Sequence, residues 1–294
     1  MMLTKTAFLL AAACMTAAPT ARGDEPPPGA KTRAAITMPA RGICAHRGAS
    51  RSHPENTLAA FREAIRLGAH QIELDVRLSS DGQLVLMHDA TVDRTTDGHG
   101  RVADLTLAEI KRLDAGSWKG AKFAGEKVPT LAEALAVMPQ NVWLNLHLKG
   151  GADLGAAVAR EVVRQKRTHQ AFLACSRAAA GTARKVHAGI LICNMERQGT
   201  STRYVNETIA GKCRFIQLAG WPALPEDMRR LREAGIRINY FGTNNPKMLK
   251  PLYGAGVEFP LVDDVATMME AARKLGVEPL VPVYPKAAGA VDSD

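Results

Sequence analysis

The sequence predicts an α/β fold: a (β/α)8 TIM barrel with an insertion after the second strand. Three observations carry this expectation. Short β-type runs recur eight times, helical stretches separate most of them, and one polar, glycine-rich segment interrupts the alternation after the second run. Alternating strands and helices over this length build a parallel sheet, and eight units close it into a barrel. A doubly wound open sheet is the structural alternative.

The N-terminus reads as an address. Lys5 is the positive end of a signal peptide over residues 1–23, Ala7 to Ala13 begin a short apolar core, and Ala21-Arg22-Gly23 is a small-x-small cleavage site. Ala11-Ala12-Ala13-Cys14 lacks the Leu of a lipobox, which favours soluble export, periplasmic or secreted, over a lipid anchor. Residues 24–40, with Pro26-Pro27-Pro28-Gly29, are expected to be a flexible leader. The barrel domain is expected over 41–285 and a disordered tail over 286–294.

Strand runs are expected at Gly42–Ala45, Gln71–Leu78, Val142–Leu148, Ala171–Cys175, Ile190–Asn194, Arg214–Leu218, Ile236–Phe241 and Val257–Val262. Thr57–Leu67, Leu154–Arg164 and Glu226–Ala234 read as helices between them. Ser79-Ser80-Asp81-Gly82 is a turn signal, so Leu84–Met87 is expected to return as a hairpin strand. The insertion, 84–128, then holds one evident helix, Leu107–Leu113. An insertion at the end of a strand overhangs the barrel mouth, where such folds place their sites.

Composition narrows the partners. The chain has 38 Lys and Arg against 29 Asp and Glu, a net charge of +9, falling to about +7 if the signal segment is removed. That suits anionic ligands in general. No basic run interleaved with aromatics appears, which argues against nucleic acid. No later run is apolar enough to span a membrane. Cys44, Cys175, Cys193 and Cys213 lie in or beside apolar runs and are expected to be buried free thiols, although export would permit pairing.

The residues suited to chemistry cluster at strand ends. His46-Arg47-Gly48 follows the first run, offering proton transfer, a planar fork for phosphate oxygens and a backbone able to approach closely. Glu73 and Asp75 are two apart on one strand, so they share a face, while Ile72, Leu74 and Val76 take the other. Two carboxylates facing a barrel interior need neutralising, by a divalent cation or by salt bridges to Arg47 or Lys149. His88, at the end of the hairpin, makes an acid and base pair possible with His46. Asn145, His147 and Lys149 form a polar face on a strand expected to be buried on both sides, which suggests a site. His53, His70, His99, His169 and His187 read as loop or surface histidines.

Taken in order, these motifs resemble the glycerophosphodiester phosphodiesterase family. The resemblance runs from Ile43 to Leu135 through Ala45-His46-Arg47-Gly48, Pro54-Glu55-Asn56-Thr57, Ile72-Glu73-Leu74-Asp75-Val76, His88-Asp89, Asp93-Arg94-Thr95-Thr96, Leu113-Asp114-Ala115-Gly116 and Val128-Pro129-Thr130-Leu131. It implies a TIM barrel with an insertion after the second strand. It implies His46 and His88 as acid/base residues, Arg47 as a phosphate binder, and Glu73 and Asp75 as metal ligands. It also implies that Glu55 either ligates the metal or orients Arg47. The family's usual Glu-x-Lys stands here as His147-Leu148-Lys149, its Trp-Thr-x-Asn as Phe241-Gly242-Thr243-Asn244, and its final Thr-Asp as Asp263-Asp264.

The resemblance implies an enzyme that hydrolyses a glycerophosphodiester to an alcohol and glycerol 3-phosphate with one divalent ion, and the N-terminal segment implies that it is exported. The family suggests Ca2+ or Mg2+. With His147 as third ligand beside Glu73 and Asp75, Mn2+, Fe2+, Co2+ or Zn2+ fit better. Alternatively, protonated His147 pairs with the two carboxylates and no metal binds. Lys149 and Arg47 are expected on the phosphate. Alternative functions are a lysophospholipase D acting on a membrane lipid, aided by Tyr204, Phe215 and Trp221 if these are not core, and a non-catalytic phospho-ligand-binding barrel.

Overall fold

The computed structural model describes residues 36–220 and 223–285. The expected signal peptide, most of the expected leader, the tail and Trp221 lie outside the described residues.

Among the described residues, nine strands form one sheet: β1 (Cys44–Ala45), β2 (Gln71–Leu78), β3 (Leu84–Leu86), β4 (Trp143–Leu148), β5 (Ala171–Cys175), β6 (Leu191–Asn194), β7 (Phe215–Ala219), β8 (Arg237–Phe241) and β9 (Phe259–Val262). Eight pair in parallel, and β1 joins both β9 and β2, which closes the barrel. β3 is the hairpin strand, antiparallel to β2 with Val76 opposite Leu86. The expected runs are thus all present: Gln71–Leu78 and Ala171–Cys175 keep their bounds, Arg214–Leu218 shifts by one residue, and the others shorten, Gly42–Ala45 to two residues.

The helices are α1 (Leu58–Arg66), α2 (Leu107–Arg112), α3 (Leu131–Val137), α4 (Ala152–Arg164), α5 (Arg177–Val186), α6 (Thr202–Ala210), α7 (Pro225–Glu233), α8 (Leu249–Ala255) and α9 (Val265–Arg273). Their starts are written locally. Thr57, Ser176, Ser201 and Asp264 each cap a helix by accepting a main-chain N–H of its first turn. Thr106 with Glu109, and Thr130 with Glu133, form reciprocal capping boxes.

Side-chain alternation along the strands sorts the interior. Ile72, Leu74 and Val76 of β2 join the layer packed under the helices. On the inner face, Trp143, Phe172, Phe215, Phe259 and Leu261 with Cys44 and Cys193 form an apolar plug, in which Phe172 and Phe215 stack with centroids 3.7 Å apart. Above the plug the inner residues are polar. The insertion carries a small core of its own, including Val85, Val92, Ile110 and Val128.

Among the described residues, Cys44, Cys175, Cys193 and Cys213 are free and buried, as expected. Burial pushes the Cys175 thiol up to about 12, so it is unreactive. Two expectations need correction. His70 is neither in a loop exposed to solvent nor on the surface: it is buried, it accepts from the Ile43 N–H, and it contacts the Glu278 carbonyl at 2.9 Å. It thereby ties the C-terminal segment to the barrel floor. The last residues of the expected leader are also engaged, for Trp143 Nε1 donates to Pro39 O, Arg237 Nη1 donates to Ala40 O, and Met38 packs on the plug.

Candidate active site

β2 supplies the centre of the site. Glu73 and Asp75 point into the barrel and are almost wholly buried, at 1% and 0% exposure. Parallel pairing sets Asp75 beside His147 of β4. His147 Nδ1 lies 3.4 Å from Asp75 Oδ1 and 3.5 Å from Glu73 Oε1. Lys149 brings its Nζ to 3.1 Å from Asp75 Oδ1 and 3.0 Å from His147 Nδ1.

The loop after β1 closes over these groups. Arg47 adopts a left-handed backbone, with φ of 56°, which costs an L-residue about 1–2 kcal/mol. In that conformation its main-chain N–H donates to Glu73 Oε2 (2.9 Å), while its Nη1 donates to Glu55 Oε1 (2.8 Å) and its Nε lies 3.3 Å from Asp75 Oδ2. Asn56, also left-handed at φ of 58°, donates from Nδ2 to Asp75 Oδ2 and accepts the Asp75 N–H. The glycine of His46-Arg47-Gly48 approaches α1, not open space: a Cβ there would sit 2.7–2.8 Å from Ala60 atoms.

The salt bridges expected as one alternative are therefore present, as is a metal-like donor set. Glu73, Asp75 and His147 bring one ligand atom each within 4.8 Å of one another. Asp75 Oδ1 is buried and makes no hydrogen bond. Two carboxylates and an imidazole balance the charge of a divalent cation, and the nitrogen suits a transition ion. The residues fit such a group. Glu55 is not among the three; it holds Arg47 instead. Burial would raise the Asp75 pKa, but His147, Lys149 and Arg47 hold it well below the usual carboxylate range. Burial lowers the His147 pKa, and its contacts with Asp75 and Glu73 more than reverse that, so the net shift is upward.

Each expected acid/base histidine has a carboxylate on Nδ1. His46 meets Asp263 Oδ1 at 2.7 Å, and His88 meets Asp89 Oδ1 at 2.7 Å. Asp263 is held in turn by Asn244 Nδ2 (3.0 Å) and Ser50 Oγ (3.3 Å). Engagement of Nδ1 leaves Nε2 as the nitrogen that exchanges a proton. Phe241 packs edge-on to His46 with centroids 5.5 Å apart. His46, Arg47, Ser50, Arg51, Glu55, Lys119 and Asp263 line an open cleft of about 340 Å³. Arg77, with its guanidinium on the carbonyls of His88 (2.6 Å) and Lys149 (3.2 Å), fastens the insertion to the end of β4.

All eight expected site residues thus lie in one site around β1, β2, β4 and the insertion, with His46 held by Asp263 and the other seven linked through Arg47, Glu55, Arg94 and Asp89. Asn56, Asp89, Arg94 and Asp263 belong to it without having been assigned a role from sequence. Asn56, Asp89 and Arg94 sit within motifs that were recognised, and that adjacency was the available signal. Tyr204 and Phe215 are core residues.

Residues 46–188 match the Glycerophosphoryl diester phosphodiesterase family. A glycerophosphodiester phosphodiesterase of Caldanaerobacter subterraneus subsp. tengcongensis is 50% identical over 123 residues, which cover 42% of this chain and 51% of that protein. Mouse Glycerophosphodiester phosphodiesterase 1 is 46% identical over 121 residues, covering 40% and 37%. The chain therefore spans about half the length, or less, of these curated relatives. Similarity to solved structures extends further. An Oleispira antarctica phosphodiesterase in complex with the product sn-glycerol-3-phosphate superposes with a TM-score of 0.71 at 29% identity, over 79% of this chain and 96% of that one. A glycerophosphodiester phosphodiesterase of Agrobacterium tumefaciens str. C58 gives 0.67 at 29% identity, over 79% and 99%.

Proposed function

Because the chain belongs, through residues 46–188, to the glycerophosphoryl diester phosphodiesterase family, we propose that it hydrolyses glycerophosphodiesters to an alcohol and glycerol 3-phosphate. The observation that carries this reading is the pair of histidines, each held at Nδ1 by a carboxylate 2.7 Å away, beside a buried cluster of acids and cations.

A phosphodiester resists attack because its oxygens are negative and an alkoxide leaves poorly. Arg47 and Lys149 supply positive charge to the phosphoryl oxygens, and the Arg47 fork also fixes their orientation. Glu73, Asp75 and His147 would hold a divalent cation, which adds further neutralisation there. Burial lowers the His46 pKa, but the Asp263 hydrogen bond and the Glu73 charge outweigh it and raise the pKa above 6.5. The upward shift favours the protonated ring, which suits His46 to give its proton to the leaving oxygen from Nε2. His88, with Asp89 fixing its Nδ1–H, takes the proton of the nucleophile, which is water, or a neighbouring hydroxyl of the substrate, in which case a cyclic phosphate forms as the alcohol leaves and water then opens it to the monoester. Each histidine contributes about 10²–10⁴ in rate. Export rests on the N-terminal sequence alone and is part of the same proposal.

Purified protein assayed with glycerophosphocholine and with lysophosphatidylcholine tests the reading. The expected result is glycerol 3-phosphate released from the first, lost in His46→Ala and His88→Ala. Preference for the lysolipid would establish a lysophospholipase D. Binding without turnover would establish a non-catalytic barrel. N-terminal sequencing of protein from the fractionated native host tests export.

A further inference from the structure

We propose that Arg94, on the insertion, is a positioning residue that couples the proton-transfer arm of the site to its phosphate-binding arm. The proposal rests on the roles just given to His88 and Arg47. One guanidinium meets two carboxylates. Arg94 Nε and Nη2 donate to Asp89 Oδ2 (2.6 Å) and Oδ1 (3.1 Å). Its Nη1 and Nη2 donate to Glu55 Oε2 (2.9 Å) and Oε1 (2.8 Å). Asp89 is the carboxylate on His88 Nδ1, and Glu55 is the carboxylate on Arg47 Nη1. Arg94 therefore stands one residue behind each arm and touches neither reacting group.

The geometry is specific to a guanidinium. A planar fork can donate two parallel bonds to each of two carboxylates, whereas an ammonium is a point charge with no fixed plane. Glu55 Oε1 accepts from both Arg47 and Arg94, so a shift of Arg94 moves the oxygen that holds the phosphate-binding fork. Asp89 and His88 follow β3 and belong to the insertion, while Glu55 belongs to the loop after β1. Arg94 thus bridges the insertion to the barrel at the level of the chemistry. Ion pairs at a surface contribute little as a rule, and Arg94 is 44% exposed. The carboxylates it holds are less exposed, at 12% and 30%, and each is already committed to a functional side chain.

The test compares Arg94→Gln, Arg94→Lys, Glu55→Gln and Asp89→Asn in steady-state hydrolysis of glycerophosphocholine. Asp89→Asn is expected to act mainly on kcat and Glu55→Gln mainly on KM. Arg94→Gln is expected to move both by about 10- to 100-fold, the size of effect that outer partners have on the groups they orient. Adding Asp89→Asn to Arg94→Gln is expected to lower kcat no further than Asp89→Asn alone, because the two lie on one path. Arg94→Lys is expected to recover at most one of the two parameters. Unchanged kcat and KM in Arg94→Gln, with only the Tm lowered, would overturn the proposal, as would strictly additive effects. If the wild type turns over no phosphodiester, the functional reading fails separately. Two activity-free measurements then decide the role of Arg94: the NMR signal of the His88 Nδ1–H and the calorimetric affinity for glycerol 3-phosphate. Both are expected to change in Arg94→Gln, and their constancy would exclude the coupling.

Discussion

His46 and Asp263 meet at 2.7 Å across 217 residues of sequence, joining the end of β1 to the end of β9. The contact shifts both protonation equilibria. The His46 hydrogen bond holds Asp263 well below the usual carboxylate range, and Asp263 in turn helps raise His46 above 6.5. A histidine whose folded pKa is raised stabilises the fold fully below about 6.5, and that contribution is lost as pH rises through the raised value. The depressed Asp263 contributes above about 3.9 and loses its contribution as pH falls through its own lowered value. The pair is therefore most stabilising in mildly acidic solution. Asp263→Asn is expected to lower the NMR titration midpoint of His46, to flatten Tm against pH above 6.5, and to reduce kcat by ~10²-fold or more. An unchanged His46 midpoint would show that Asp263 does not control the ring.

Asn56 is the residue that keeps Asp75 ordered. It donates to one carboxylate oxygen and accepts the main-chain N–H of the same residue, and its backbone is left-handed, a region asparagine tolerates. Asn56→Ala removes a hydrogen bond to a buried charge and places alanine in an unfavourable conformation. The expected loss is about 2–4 kcal/mol in denaturant unfolding. Asn56→Asp is expected to be worse, because it sets a second carboxylate against Asp75. A loss below about 1 kcal/mol in both variants would contradict this role.

Gly48 is required for packing. Its φ is +79°, and any Cβ would collide with the Ala60 backbone at 2.7 Å, where Ala49 N–H bonds Ala60 O. Gly48→Ala is expected to cost about 2–4 kcal/mol from overpacking and backbone strain. Because His46 and Arg47 precede it directly, kcat/KM is expected to fall together with Tm. A crystal structure of the variant with the 46–49 backbone unmoved would contradict this.

The barrel could be read from the sequence because buried parallel strands are nearly continuous apolar runs, and β2 and β4 announce the site by breaking that rule at Glu73, Asp75, Asn145 and His147. What was not legible depends on distance along the chain. Asp263 stood in a mismatched motif, and nothing local says that it reaches His46. His70 looked like a loop histidine because its partner, the Glu278 carbonyl, lies 208 residues away. Arg94 was visible as part of a motif, but its four hydrogen bonds depend on how the insertion folds back over the loop after β1.

His147 is expected to set which cation the Glu73, Asp75 and His147 cluster prefers. It occupies the strand position where a third carboxylate would give the cluster a charge of minus three, and with neutral imidazole the charge is minus two. Oxygen-seeking ions lose an anionic ligand by this change, whereas ions that accept nitrogen gain one. Lys149 Nζ, 3.0 Å from His147 Nδ1, opposes protonation of the ring, but Asp75 and Glu73 outweigh it and the net shift is upward, so a cation binding there displaces a proton. After chelation, wild-type activity is expected to return more fully with Mn2+, Co2+ or Zn2+ than with Mg2+ or Ca2+. His147→Glu is expected to shift affinity toward Mg2+ and Ca2+ by about tenfold or more, read by calorimetry as well as by activity. His147→Ala is expected to weaken binding of every ion. Full turnover in thoroughly metal-free protein would instead assign the neutralisation of the phosphoryl oxygens to Arg47 and Lys149 alone, with protonated His147 paired to Glu73 and Asp75.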